Sequence, residues 1–454
     1  MSPEPLARGR TAGGRRVASR TWPGLDETFD EDVARLASGP QTRRFERGLE
    51  QELASARGKI SPFGAPKRVR SAVASKLSGF VVIYHRALRA IVDASHTDER
   101  VRTALSLSPE LQEALDGDLD PRNGAVHLCR LDMLLDTDGG FRVIETNANC
   151  PGALLSCGIA ARRWREHLSG PGLEPPSALP HERPRWMAEW YLEAARSETP
   201  HRPATVALLR EDGGNRLELP GLARQLRAGG VEAFEADPRE LRLDAGVPTI
   251  GSVPLHHAYL KLAVQRLRRL RDDMRPFLSA VRRRALFIQN GLRGRLVGDN
   301  KLCLAILSDP TFEDLFDPSD LARLRPHLPW SRRISACSPD EIADIRAARA
   351  DYVLKRPLDT RGQGIVIGRE VSGRTAWDRA LDRALRAGWL VQAFCPTTRM
   401  VVEREEDAHL HDLSIGVVGG RLHGAMIRSS RELRTNVAIS GRLHPVFMEV
   451  GERS

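Results

Sequence analysis

The stretch Arg130-Leu-Asp-Met-Leu-Leu-Asp-Thr-Asp-Gly-Gly-Phe-Arg-Val-Ile-Glu-Thr-Asn147 contains two strand-like runs on either side of an Asp-Gly pair. Asp138-Gly139 between such runs predicts a β-hairpin closed by a tight two-residue turn. The register that follows makes Leu134 and Val143 an apolar cross-strand pair, which supports it. This hairpin is the most informative part of the chain, because its turn fixes which residues face each other.

The same register collects four polar side chains on one face of the hairpin. Asp132 lies opposite Glu145 in this arrangement. Arg130 lies opposite Asn147, and alternate residues of a strand share a face, so all four project from one side.

These four groups have a chemical use in common. Two carboxylates and an amide oxygen are suitable ligands for a hard divalent cation such as Mg2+, and an arginine beside them suits a phosphate. The alternative is a solvated hairpin face that carries a cross-strand ion pair. The segment alone leaves both interpretations open.

Length and composition describe an ordinary globular protein. The chain has 454 residues, 41% of them hydrophobic and 28% charged, which is enough for two to four domains. No run of about 18 apolar residues exists, so no transmembrane helix is expected. Residues 1–22 are basic and lack an apolar segment, which predicts a disordered tail and not a secretory signal. Six cysteines without metal-binding spacing favour reduced thiols and a cytoplasmic location.

The formal net charge of +10 suggests an anionic ligand or nucleic acid. Only six of the 69 basic residues are lysines, so a retained lysine is a mild indication that a compact ammonium is needed. A long helical region over 260–284 is rich in arginine, and 260–295 is the candidate nucleic-acid surface. Aromatic residues make up only 5% of the chain and do not interleave with these arginines, which argues against stacking on bases.

Periodicity predicts the main elements around the hairpin. Residues from about 26 to 118 have a helical pattern, with helices over 29–53 and 72–91. A further helix is expected at 154–168. A strand at 205–209, a helix at 216–228 and a strand at 231–235 form a β-α-β unit of Rossmann-like type, which lacks the G-x-G-x-x-G dinucleotide motif.

A second motif joins a lysine to a glycine-containing loop. Strand 352–355 ends in Lys355, the loop 356–364 contains Gly362 and Gly364, and strand 365–367 returns. Glycines let backbone N–H groups approach phosphate oxygens, and the lysine can reach an α- or β-phosphate. This is not a Walker A loop, because the lysine precedes the glycines. The alternative is an ordinary hairpin with an exposed lysine.

Three shorter signals complete the set. Asp299-Asn300-Lys301 opens a helix, with Asp299 or Asn300 as its N-cap. Strand 389–394 could pair an adenine edge through its backbone, with Gln392 adding a polar contact. Arg428 and Arg431 follow a hairpin across Gly419-Gly420, with Asn436 five residues further, and suit contact with a phosphate or an anionic substrate.

The order of these motifs resembles the ATP-grasp superfamily, specifically its circularly permuted branch typified by glutathionylspermidine synthetase. The metal segment of that branch, R-x-D followed by E-x-N-x-x-x-P, resembles Arg130-Leu-Asp132 and 145–151 here. It precedes the lysine segments, which is the permuted order. Asn300-Lys301-Leu-Cys-Leu-Ala-Ile-Leu307 matches N-K-x-x-L-A-x-L.

Two later segments extend the resemblance, which covers about residues 125–450. Lys355-Arg-Pro357 with Arg361-Gly-Gln-Gly364 is similar to K-P…R-x-G, with one inserted arginine. Gln392 and Phe394 match Q-x-F. No part of the given sequence resembles the family's separate amidase domain, and Asn147-Ala-Asn-Cys-Pro-Gly152 stands where the family has Asn-Ala-Asp-Thr-Pro-Thr. The resemblance therefore does not imply the glutathione and polyamine substrates.

The resemblance implies an ATP-dependent carboxylate–amine ligase that forms a peptide or peptide-like amide through an acylphosphate, releasing ADP and phosphate. It implies two Mg2+ held by Asp132, Glu145 and Asn147. It assigns catalytic roles to Arg130 and Arg428. It assigns ATP binding to Lys301, Lys355, Arg361, Gly362, Gly364 and Gln392.

The resemblance also implies an α/β (α+β) fold, with an ATP-grasp core in permuted order. The expected regions are the tail 1–22, a helical region 23–124, the metal-binding part 125–200, a Rossmann-like pre-ATP-grasp domain 201–298 and the nucleotide-binding and lid subdomains 299–454. The expected partners are a carboxylate donor and an amine acceptor, with no nucleic acid and no membrane; a natural-product pathway fits a stand-alone ligase. The alternatives are a nucleic-acid-binding protein and a non-catalytic ATP-grasp scaffold.

Overall fold

A computed structural model describes residues 21–57, 63–115, 120–170, 172–213, 216, 218–359, 362, 364–402, 408–433, 435 and 441–449. Nearly all of the expected tail, 1–22, lies outside these residues, and so do Arg361 and Asn436.

The described residues form a mixed α/β structure. Its α-helices are α1 Glu27–Ala37, α2 Pro40–Arg57, α3 Ser71–Thr97, α4 Glu99–Leu105, α5 Pro109–Leu115, α6 Leu154–Ser169, α7 Trp186–Glu198, α8 Leu219–Ala228, α9 Val264–Leu270, α10 Arg275–Arg282, α11 Leu292–Gly298, α12 Leu302–Ser308, α13 Pro318–Leu324, α14 Pro339–Ala347 and α15 Arg374–Ala387. Its strands are β1 Lys67–Val69, β2 Leu128–Leu135, β3 Phe141–Asn147, β4 Thr205–Leu209, β5 Glu232–Ala236, β6 Arg242–Asp244, β7 Val247–Ile250, β8 Val253–Pro254, β9 His257–Leu260, β10 Phe287–Ile288, β11 Ser331–Arg333, β12 Tyr352–Lys355, β13 Ile365–Ile367, β14 Leu390–Ala393, β15 Arg399–Met400, β16 His409–Val418, β17 Arg421–Ser430 and β18 Arg442–Met448.

The largest sheet draws its strands from distant parts of the chain. Its order is β1-β18-β17-β16-β2-β3, with β15 paired to β16. The predicted hairpin across Gly419-Gly420 is confirmed as β16 and β17. One face packs on α3, whose Tyr84 hydroxyl lies 2.7 Å from that of Thr146 on β3. The other face packs on α6, the helix predicted at 154–168.

The hairpin of β2 and β3 is confirmed, and so are its two polar pairs, Asp132 with Glu145 and Arg130 with Asn147. The expected pairing of Leu134 with Val143 is wrong, because Val143 pairs with Met133. Ile144 is an extra residue at this point, which makes a β-bulge.

The bulge also changes the turn. The strands end at Leu135 and Phe141, so five residues connect them in place of the expected two. The Asp136 side chain accepts the Gly140 N–H, and Gly139 adopts φ +80°, a conformation that favours glycine.

A second sheet has the order β10-β9-β4-β5, and all its pairs are parallel. The predicted β-α-β unit is confirmed as β4, α8 and β5. A small antiparallel sheet, β6-β7-β8, extends this part of the chain and was not predicted.

Two helical predictions are wrong in detail. The helix expected over 29–53 is two helices, because the chain breaks at Ser38 and Gly39 and restarts at Pro40, a residue favoured at helix starts. The helical region expected over 260–284 begins in strand β9. It continues as α9 and α10, separated by a turn before Pro276.

The third sheet is antiparallel, with the order β11-β14-β12-β13. The predicted strands 352–355 and 365–367 are confirmed as β12 and β13. Within the parts of the chain that the structure describes, no helix combines the length and apolar character needed to cross a membrane.

Candidate active site

Charged side chains occupy three adjacent strands on the sheet face that α6 covers. Ser414 of β16 pairs with Asp132 of β2. Two residues earlier on the same strand, Asp412 pairs with Arg428 of β17. Residues two apart on a strand share a face, so the polar face of the predicted hairpin continues across the sheet.

Asp132 is the centre of this cluster, and its side chain is only 2% exposed. Arg130 donates to both of its carboxylate oxygens, at 2.7 and 2.9 Å. Arg428 lies 3.0 Å from Oδ2, and the Ser414 hydroxyl donates to Oδ1 at 2.9 Å. Asn147 adds its amide at 3.2 Å. Burial acts to raise the pKa of Asp132, but the two arginines outweigh it and hold the pKa well below its usual range.

Each of the two arginines has a second hydrogen-bond acceptor besides Asp132. Arg428 donates to both oxygens of Asp412 at 2.8 Å, while Arg130 also donates to the Gly152 carbonyl at 3.1 Å. Burial acts to lower the pKa of Arg428, and Asp132 and Asp412 raise it above its usual range. Of the two predicted arginines, Arg428 contacts the cluster, whereas Arg431 lies beyond the end of β17 and is exposed.

Glu145 connects this cluster to the first predicted lysine. Lys301 Nζ lies 2.9 Å from Glu145 Oε1 and donates to the Asp359 carbonyl at 2.7 Å. Burial acts to lower the pKa of Lys301, but Glu145 and then Asp299 raise it above its ordinary value.

The residues before Lys301 set its position. The expected N-cap at Asp299 or Asn300 is wrong, because Lys301 takes that position; the Asn300 side chain accepts the Leu302 N–H at 2.9 Å from one residue earlier. Asp299 instead accepts the N–H groups of Ala148 and Asn149, at 2.9 and 3.0 Å. It therefore ties the end of β3 to the lysine segment.

Lys355 ends β12 beside the bulge in β3. Its ammonium donates to the Ile144 carbonyl at 2.9 Å and to Gln392 Oε1 at 2.7 Å. Burial lowers the pKa of Lys355 to about 8, more than Glu145 can offset. The expectation of an exposed lysine in an ordinary hairpin is therefore wrong, since Lys355 is 5% exposed.

Gln392 lies on an interior strand of its sheet, and its side-chain oxygen accepts the hydrogen bond from Lys355. Its amide nitrogen donates to the Ser331 hydroxyl at 3.0 Å, and the residue is 2% exposed. Over 390–393 its strand pairs with β11 on one side and β12 on the other. The expectation that this strand pairs an adenine edge through its backbone is therefore wrong over these residues.

The loop after Lys355 turns on its glycines. Gly362 and Gly364 adopt φ +72° and +69°. A Cβ on Gly364 would lie 2.5 Å from an Asp359 carboxylate oxygen. The backbone at Gly364 therefore approaches Asp359 too closely for a larger residue. Sequence reasoning did not single out Asp359, although a carboxylate inside a glycine loop after a lysine was a visible signal.

Asp412 and Ser414 were also missed. Their alternation along a strand was visible, but the sequence carries no signal that places β16 beside β2. That neighbourhood depends on a contact between residues almost 300 positions apart in the chain.

The donor set suits a hard cation only in part. Within the described ranges, no three His, Cys, Asp or Glu side chains lie together as metal ligands would. Glu145 is 20% exposed, and Asn147 donates through its nitrogen, which leaves its amide oxygen for a cation. Asp132 would have to exchange an arginine contact before ligating one. The buried ammonium groups of Lys301 and Lys355 suit a polyphosphate.

The sequence matches no protein-family model and no curated protein. Among solved structures, the chain is similar to a glutathione synthetase-like effector from Globodera pallida in its apo form. The TM-score is 0.61 at 14% identity, over 90% of this chain and 98% of that chain. A candidate gamma-glutamylcysteine synthetase from Methylobacillus flagellatus KT matches at TM-score 0.39 and 14% identity, over 79% and 85%, which is too low to argue from. The chain therefore has the mixed α/β fold of a glutathione synthetase-like protein.

Proposed function

We propose that this protein is an ATP-dependent carboxylate–amine ligase with a circularly permuted ATP-grasp core. It joins an acid to an amine through an acylphosphate, and ADP and phosphate are released. The product is a peptide or a peptide-like amide. The likeness to a glutathione synthetase-like effector supports the fold part of this proposal.

One observation carries the proposal. Two buried lysines, in a chain with only six, approach neighbouring residues of β3 from different elements: Lys301 from the start of helix α12 and Lys355 from the end of strand β12. Lys301 contacts the Glu145 carboxylate, and Lys355 contacts the carbonyl of the preceding residue, Ile144. A pair of buried ammonium groups beside a carboxylate that can take Mg2+ is suited to the phosphates of a magnesium–nucleotide complex.

The residues divide the work between binding and catalysis. Lys301 and Lys355 bind nucleotide phosphates. Glu145, Asn147 and Asp132 are the residues that would hold Mg2+, which would supply charge neutralisation to the phosphates. The loop 356–364 acts as a lid.

Arg130 and Arg428 provide the positive charge for the reacting groups. Both are largely buried and held by carboxylates, so their guanidinium groups are fixed before substrate arrives. Such preorganised charge stabilises the transferred phosphoryl group and the tetrahedral intermediate of amide formation.

The arginines of the candidate nucleic-acid surface have other partners. Arg266 and Arg269 pair with Glu211, and Arg284 pairs with Glu198. Arg295 is fully buried and donates to backbone carbonyls. The charge of this region is thus partly neutralised within the fold, which favours the ligase over nucleic-acid binding.

The test is magnesium-dependent ADP release from ATP with a panel of amino acids and short peptides as acids and amines. We expect turnover with one pair, and a loss of at least about 100-fold in Glu145→Gln and Lys355→Ala. Glu232→Gln, on the exposed face of β5, is the matched control. Unchanged turnover in both site variants would reject the site. Absence of ADP release, together with salt-sensitive binding of DNA or RNA, would favour the nucleic-acid alternative.

A further inference from the structure

The Gln265 side chain hydrogen-bonds the start of the 356–364 loop to the part of the molecule that contains the parallel sheet. Gln265, in the first turn of α9, donates its amide nitrogen to the Leu358 carbonyl at 2.6 Å and to Asp359 Oδ1 at 2.8 Å. Both partners are acceptors, so the amide orientation is unambiguous. The Leu358 side chain packs against the apolar core around β4, β9 and α10.

The fastened segment is also the one that contacts Lys301. The Lys301 N–H donates to the Pro357 carbonyl at 3.0 Å, and its ammonium donates to the Asp359 carbonyl. Arg356 holds the second carboxylate oxygen of Asp359 at 2.6 Å. Gln265 and Lys301 therefore both hydrogen-bond to Asp359, Gln265 to its carboxylate and Lys301 to its backbone carbonyl.

We propose that Gln265 is a positioning residue for the nucleotide site. This proposal rests on the proposed function in one respect, because the ligand whose binding Gln265 favours is the magnesium–nucleotide complex. Holding a backbone segment in one conformation costs conformational entropy. Because Gln265 already fixes residues 358 and 359 beside Lys301, less of that cost is charged against nucleotide binding.

Three substitutions separate positioning from a merely structural role. Gln265→Glu has nearly the same shape and helix propensity, but it offers only acceptors to a carbonyl and a carboxylate. Gln265→Ala removes the contacts. Gln265→Lys restores a donor, since an ammonium can donate to both a carbonyl and a carboxylate. Gln112→Glu, on the exposed side of α5, is the control for charge.

The first readout is hydrogen exchange of the Lys301 amide in the full, nucleotide-free chain, which requires no activity. We expect exchange to rise at least about threefold in Gln265→Ala and more in Gln265→Glu, with Gln265→Lys close to wild type. The second readout is the Kd of a non-hydrolysable magnesium–ATP analogue by calorimetry. We expect it to rise about 3- to 10-fold in Gln265→Ala, more in Gln265→Glu, and to recover in Gln265→Lys.

The outcomes distinguish this proposal from the proposed function. Unchanged exchange, or faster exchange with an unchanged or lower Kd, would overturn the role of Gln265 while leaving the ligase intact. A wild-type chain that binds no nucleotide would overturn both, whatever the exchange shows.

Discussion

The surroundings of Lys301 and of Lys355 are opposite in their electrostatics, although both lysines are buried at one site. Lys301 contacts a carboxylate, and its pKa is raised. Lys355 contacts a carbonyl and an amide oxygen, and burial lowers its pKa to about 8. Lys301 is thus charged at any ordinary pH, whereas burial makes the charged form of Lys355 easier to deprotonate. The sequence alone predicts the same role for both residues, phosphate binding by a lysine.

The largest expected difference is in stability. Lys301→Met leaves Glu145 and the Asp359 carbonyl without their cation, and we expect a loss of about 1–3 kcal/mol in the free energy of unfolding. Lys355→Met removes a buried charge that no carboxylate of the described residues contacts, and we expect no loss or a gain of about 1 kcal/mol. Urea denaturation measures both. Equal destabilisation would show that the two environments do not differ as described.

The second expected difference is in the pH dependence of unfolding. Lys355 has a folded pKa below its unfolded value, so the unfolded chain binds more protons between pH 8 and 10, and stability should rise with pH there. Lys301 has a raised folded pKa, so its stabilisation is fully present below the unfolded pKa and is lost only at higher pH. The wild-type minus Lys355→Met difference isolates the first effect, at up to about 1.4 kcal/mol per pH unit. A flat difference would contradict the lowered pKa.

The pH dependence of nucleotide affinity should reflect the lowered pKa of Lys355. Binding of phosphates needs the ammonium form of Lys355, so the Kd of a magnesium–ATP analogue should rise above pH 8, by up to tenfold per unit. In Lys355→Arg, which stays charged, this rise should disappear. Persistence of the same rise in the arginine variant would assign it to another group.

The smallest expected effect comes from the neighbour of Lys355. Gln392→Glu places a carboxylate 2.7 Å from the ammonium, so the pKa should increase and the loss of affinity should move upward by about one pH unit. Ser331→Ala, which removes only the hydroxyl that holds Gln392, is the milder control. No movement of the profile in Gln392→Glu would show that Gln392 does not set the charge of Lys355.

The same contrast shows what sequence could predict. The register of Asp132 with Glu145 followed from Asp-Gly and from the alternation of a strand, which are local properties. The bulge at Ile144 was not predictable, because the two-residue turn was equally consistent with the sequence. That bulge presents the carbonyl that Lys355 contacts.

Long-range neighbours were the other limit. Gln392 was recognised as a polar residue on an apolar strand, but its contact with Lys355 depends on strand order, which the sequence does not reveal. The arginine-rich segment was interpreted as helix from its spacing. Its first residue, Leu260, is instead the last residue of strand β9, and the remainder forms two helices, because a periodic pattern does not show where one helix ends and the next begins.

The central claim is that Lys301 and Lys355 bind one nucleotide. It is tested most directly by calorimetry of a non-hydrolysable magnesium–ATP analogue with the wild-type chain, Lys301→Met, Lys355→Met and Lys76→Met. Lys76 is exposed on α3 and is the matched control. The account predicts binding in the wild type and in Lys76→Met, and affinity at least about 100-fold weaker in each site variant. Wild-type affinity in both site variants would contradict it.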